Sequence, residues 1–159
     1  MWRAMHNHSD NTRASLQAAQ TILGFDFGEK RIGVAVGNTV TSKAQALTTL
    51  HAESNAERLG AVEKLVAEWQ PASFVIGQPA HADGRPHEVA HLAKKFGNRL
   101  QEKFRLPVAF VNETLSSTEA SRMLAERGIK GLAQKSQIDA VAAQVILQSY
   151  LDERARHAA

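Results

Sequence analysis

Asp26 closes an apolar run, Thr21-Ile22-Leu23-Gly24-Phe25, and a Phe27-Gly28 turn follows at once. A carboxylate placed there leaves the carboxyl end of a strand, where open α/β sheets build their sites. Turn chemistry, with an Asp capping its own backbone, explains one such residue equally well. Glu113 repeats the arrangement after Val108-Ala109-Phe110-Val111-Asn112, and its plain explanation is an ordinary loop acid near a helix start. Asp139 stands at the start of a helix otherwise rich in Ile, Val, Ala and Leu. Ser136-Gln137-Ile138-Asp139 fits a capping box with Asp in place of Glu, so structure alone could account for it. The small residues Ala140, Ala142 and Ala143 tip the balance, because they let this helix start lie close against a sheet edge.

Asp26, Glu113 and Asp139 together are hard oxygen ligands suited to Mg²⁺ or Mn²⁺. In a two-metal site the ions sit about 3.5–4 Å apart, one activating water and the other stabilising the leaving oxygen of a phosphodiester. That chemistry needs no side-chain nucleophile. The chain has no cysteine, which excludes thiolate metal sites, iron–sulfur clusters and disulfides and suits a reducing cytosol. Seven His at 6, 8, 51, 81, 87, 91 and 157 show no metal-ligand spacing and are read as surface residues or weak anion contacts.

Nineteen Lys and Arg against sixteen Asp and Glu leave a net charge of +3, and the excess is clustered. Lys94, Lys95, Arg99, Lys103 and Arg105 form one group; Arg122, Arg127, Lys130 and Lys135 form another. Lys30 and Arg31 add a basic pair beside Asp26, where a bound phosphate would pass. Lys30, Arg31, Lys94, Arg99, Arg122, Lys130 and Lys135 are therefore the expected nucleic-acid contacts, although a solvated helix face explains the Lys94–Arg105 group nearly as well. Few aromatics are free for base stacking, which favours reading of the backbone over reading of sequence.

The elements that must position these residues follow from local patterns. The 159 residues suffice for one domain, with residues 1–20 an aperiodic arm, 21–152 the domain and 153–159 a tail. A hairpin of two strands spans Thr21 to Val36, and a third strand covers Ala44 to Leu50. Ser54-Asn55-Ala56-Glu57 caps a helix that Pro71 stops, and Ser73–Gly77 is a short buried strand. Pro86 opens the next helix, with Val89, Leu92, Ala93, Phe96, Leu100 and Phe104 inward; Pro107–Asn112 is strand again. A short helix begins at Ser116, a basic loop covers Gly128 to Lys135, and the last helix runs from about Gln137 to Asp152. This order implies an α/β domain, a mixed sheet with helices on both faces. No apolar stretch reaches the length of a membrane span, so a soluble, cytoplasmic protein is expected.

Four motifs in this order resemble the YqgF family, whose members are also described as Holliday junction resolvase-like proteins or pre-16S rRNA nucleases. They are Leu23-Gly24-Phe25-Asp26-Phe27-Gly28-Glu29-Lys30-Arg31-Ile32-Gly33-Val34-Ala35; Val75-Ile76-Gly77-Gln78-Pro79 with Asp83-Gly84; Asn112-Glu113-Thr114-Leu115-Ser116-Ser117-Thr118-Glu119-Ala120; and Lys135-Ser136-Gln137-Ile138-Asp139-Ala140. The resemblance covers roughly Ile22 to Leu151. It implies a ribonuclease H-like fold, a cytoplasmic location and a role in maturing the 5′ end of small-subunit ribosomal RNA, with Asp26, Glu113 and Asp139 as the catalytic and metal-binding acids. Where the family usually has Asp-Glu-Arg, this chain has Asn112-Glu113-Thr114.

The reading is a metal-dependent nuclease of structured RNA, with the small-subunit precursor as partner. A resolvase of branched DNA is the nearest alternative. A non-catalytic ribosome-associated RNA-binding module is another, supported by Asn112 and Thr114. The hairpin also looks like the first phosphate loop of actin-type ATPases, but the chain is too short for their two domains and has no second phosphate motif.

Overall fold

The computed structural model describes residues 21–78, 87–112 and 132–158. Its elements are β1 (Thr21–Asp26), β2 (Arg31–Asn38), β3 (Lys43–His51), α1 (Asn55–Trp69), β4 (Ser73–Gln78), α2 (His87–Phe104), β5 (Val108–Asn112) and α3 (Leu132–Ala158). One five-stranded sheet runs in the order β3-β2-β1-β4-β5. The β3-β2-β1 half is an antiparallel meander, and β4 and β5 continue parallel to β1. This is the expected mixed sheet.

Strand alternation assigns each face its own core. Leu23, Phe25, Phe27, Ile32, Val34, Phe74 and Ile76 point to one side and pack with Val62 and Leu65 of α1 and with Ala93, Phe96 and Leu100 of α2. Phe25 meets Phe96 edge-on at 5.6 Å between ring centroids, and Phe104 at the far end of α2 meets Phe74 at 5.8 Å. On the other side Ile22, Ala35, Ala44 and Val75 receive Ala143, Ile146, Leu147 and Leu151 of α3. Helices therefore cover both faces.

The first turn of α1 is a complete capping box. The Ser54 hydroxyl accepts from the Glu57 N–H at 3.2 Å, and the Glu57 carboxylate accepts in return from the Ser54 N–H at 3.2 Å. Donation from the backbone of Glu53 and then from Ser54 holds the Glu57 carboxyl below its usual range. Gln70 closes the helix in a left-handed conformation ahead of Pro71.

Helix α3 departs from the sequence reading in three ways. It spans 27 residues and begins at Leu132, so Ser136 lies inside the helix rather than capping it, and residues 132–135, expected in the basic loop, are helical. Leu132-Ala133-Gln134-Lys135 contains good helix formers and no breaker, so the pattern simply extends. The expected C-terminal tail is likewise helical through Ala158. Finally, α3 lies across the face of β1, β2 and β3 rather than against a sheet edge. Glycines on that face make the close approach possible: a Cβ on Gly24, Gly37 or Gly77 would press into Leu147 or Ile146. Residues 1–20, expected as an arm, residues 79–86 and the short helix expected from Ser116 lie outside the described residues.

Candidate active site

Asp26 is the last residue of β1 and shares its face with Ile22 and Gly24, the face covered by α3. Its register partner on β2 is Gly33, and its partner on β4 is Gly77. The backbone of α3 crosses directly over Gly33: a Cβ there would stand 1.8 Å from the Asp139 carbonyl oxygen and 2.9 Å from the Ala140 nitrogen. Only glycine admits this crossing, and the crossing puts Asp139 beside Asp26. Asp26 is largely buried, and the loss of water followed by the repulsion of Asp139 raises its pKa from 3.8 to about 7.

Asp139 sits two turns inside α3. The helix dipole and capping act within the first turn, so neither explains an acid at this depth. Its side chain is 19% exposed, and Oδ2 is buried without a hydrogen bond. The nearest cation is Arg31, whose Nε lies 3.2 Å from that oxygen, a charge contact without the alignment of a hydrogen bond. Unpaired buried carboxylate oxygens are uncommon and expensive. Two neighbouring carboxylates, one with a raised pKa and one with an unsatisfied oxygen, are a donor set that a hard divalent cation would satisfy. The residues fit a metal.

The hairpin turn that carries Lys30 and Arg31 is held from α1. Arg58 donates to the Glu29 carbonyl, and its guanidinium lies 5.5 Å over the Phe27 ring. Gly28 is required within the turn, since a Cβ would meet the Arg31 carbonyl oxygen at 2.5 Å. On the far side the Ala52 N–H donates to the Lys30 carbonyl at 3.1 Å. These interactions shape an open cavity of about 680 Å³ lined by Lys30, Arg31, His51, Glu53, Glu57 and Asp139. His51, the register partner of Arg31, is a wall residue; the sequence placed it just past the third strand among the surface His or weak anion contacts.

Glu113 and the cations Arg122 and Lys130 lie outside the described residues, and Lys135 falls in the first turn of α3. Asn112, which precedes Glu113, ends β5 in register with Gln78 of β4. Among the described residues no group of three His, Cys, Asp or Glu side chains is placed to hold a metal, the expected third ligand being Glu113. Lys94 and Arg99 are exposed on α2, which with α1 covers the face opposite α3. Lys103 is 3.5 Å from Glu63 of α1, and its ammonium is engaged there.

The fold is that of the ribonuclease H-like nucleases. A Thermus thermophilus RuvC structure solved with a Holliday junction substrate superposes with a TM-score of 0.54 at 16% identity, covering 86% of this chain and 96% of that one. A fowlpox virus resolvase in complex with junction DNA gives 0.50 at 11% identity over 84% and 98% of the two chains. The chain belongs to the RuvX family, whose model, described as Holliday junction resolvase, matches residues 20–153. It is a nuclease, a hydrolase of phosphodiester bonds in nucleic acid. A relative from Dechloromonas aromatica is 55% identical over 132 residues, 83% of this chain and 90% of its own length, and is provisionally named a pre-16S rRNA nuclease. One from Burkholderia ambifaria carries the same name at 50% identity over 137 residues, 86% of this chain and 92% of the relative. No helix among the described residues is long and apolar enough to cross a membrane.

Proposed function

We propose that this nuclease is a Mg²⁺- or Mn²⁺-dependent enzyme that trims the 5′ end of precursor 16S ribosomal RNA in the cytoplasm, with Asp26, Glu113 and Asp139 as its catalytic acids. One observation carries the reading. Asp26 and Asp139 converge where α3 crosses Gly33, and each carries an unfavourable feature, a raised pKa or an unsatisfied oxygen, that a bound divalent cation relieves. The names of the relatives supply the substrate class.

Asp26 and Asp139 would hold the metal, with Glu113 as the third carboxylate. A bound divalent cation supplies an activated water and charge stabilisation at the phosphodiester. Asp26 must give up its proton to ligate, so its raised pKa couples metal loading to pH. Lys30 and Arg31, on the turn fixed by Arg58, line the cavity beside Asp139 and would fix the phosphate backbone. Lys94, Arg99, Arg122, Lys130 and Lys135 would extend the electrostatic footprint. The test is cleavage of precursor 16S RNA with Mn²⁺: the parent protein cuts, and Asp26→Asn and Asp139→Asn do not. Equal rates in all three proteins refute the assignment.

The family description favours a second reading, a resolvase of branched DNA. Metal-held phosphates are alike in both substrates, so a four-way DNA junction run beside the RNA in the same assay separates them.

A further inference from the structure

Arg31 stands where its role depends on what else is bound. Its guanidinium is always charged, and its Nε lies 3.2 Å from Oδ2 of Asp139, the buried oxygen without a hydrogen bond. The same side chain is 43% exposed and lines the cavity with Lys30 and His51 as well as Glu29, Glu53 and Glu57. Arg31 and a divalent cation therefore contend for one carboxylate oxygen.

We infer that Arg31 is a positioning residue that exchanges partners: it holds Asp139 in the metal-free protein and turns to the nucleic acid phosphate once a divalent cation takes that carboxylate. The inference rests on the metal site of the proposed function and adds an order of binding to it. Before loading, the Arg31 charge offsets that of Asp139 beside Asp26. After loading, the displaced guanidinium presents its planar donors to the open cavity, a geometry suited to a phosphate. Metal and nucleic acid then strengthen each other's binding, and the coupling is reciprocal.

Calorimetric titration of Mn²⁺ alone into the full chain tests the exchange without any cleavage. Removing one opposing charge beside a partly exposed site predicts that Arg31→Gln binds Mn²⁺ about five- to tenfold more tightly than the parent, and that Arg31→Lys, which keeps the charge, stays close to it. Asp139→Asn should lose the binding. A residue that merely orients Asp139 would give the opposite sign, weaker Mn²⁺ binding in Arg31→Gln, and that result or an unchanged affinity overturns the inference while leaving the metal site intact. If the parent itself takes up no Mn²⁺, the metal-site reading fails and the inference fails with it. A second readout uses fluorescence anisotropy of a labelled RNA hairpin with and without Ca²⁺. The gain in RNA affinity on adding Ca²⁺ should be several-fold smaller in Arg31→Gln than in the parent; an equal gain contradicts partner exchange.

Discussion

The carbonyl of Asp139 lies directly over Gly33, so close that no side chain fits between helix α3 and strand β2 at that point. Because Gly33 is also the register partner of Asp26, this one crossing sets the spacing of the two carboxylates. Gly33→Ala must push α3 off the sheet. We expect a loss of about 1–3 kcal/mol in stability, the range typical of overpacking, together with weaker Mn²⁺ binding. Denaturant unfolding and calorimetry on the same variant check both; a variant of parental stability and metal affinity contradicts the geometry.

Asp26→Asn should separate stability from function. Above about pH 7 it removes a desolvated charge beside Asp139, so there the metal-free variant is expected to melt at or above the parental temperature while losing Mn²⁺ binding and cleavage. Thermal unfolding in EDTA beside a cleavage assay gives the comparison. A marked drop in melting temperature would mean that Asp26 supports the fold rather than opposing it.

The raised pKa of Asp26 has a signed consequence for pH. In the folded, metal-free protein the group keeps its proton up to about 7, whereas the unfolded chain releases it near 3.8. Between those values the folded state binds more protons, so this group's contribution to stability falls as pH rises through the window. Chemical denaturation in EDTA across that range should show stability falling more with pH in the parent than in Asp26→Asn. Mn²⁺ affinity should move the other way, rising with pH toward about 7 because ligation needs the carboxylate.

The basic face of α2 gives a graded prediction. Phe104 rests on Phe74, at the start of β4, so α2 runs away from the carboxyl ends of the strands. At a rise of about 1.5 Å per residue, Lys94 lies about 10 Å from the start of α2 and Lys103 about 24 Å. Lys94→Ala should therefore weaken RNA binding more than Arg99→Ala, and Lys103→Ala, whose ammonium already meets Glu63, should have little effect. Removing a cation that neutralises one phosphate makes the dependence of log affinity on log salt shallower by about one. Anisotropy titrations over a salt series measure it; equal effects at all three positions would point to a diffuse field instead of a track.

Ser54→Ala provides a control. It breaks the capping box and should lower stability by about 1 kcal/mol without changing Mn²⁺ affinity, since the hydroxyl binds only the first turn of α1.

What the sequence determined by itself were the features written in short spans. The hairpin, the capping box at Ser54, the strands on either side of α2 and the place of Asp26 all depend on residues within a few positions of one another, and the structure has them at nearly the expected limits. The resemblance was legible for the same reason, since its motifs are contiguous. Only the tertiary structure decided what Asp139 is. In the sequence it looks like a helix cap; in the fold it stands two turns inside α3, over a glycine more than one hundred positions earlier, with Arg31 against its buried oxygen. Glycines that the sequence leaves mute become the track on which α3 settles. That Lys94 and Arg99 ride on a helix covering the face opposite α3 is likewise decided only by the fold. Relationships of this kind depend on which helix face meets which strand, and that is fixed by packing across the whole domain rather than by any local pattern.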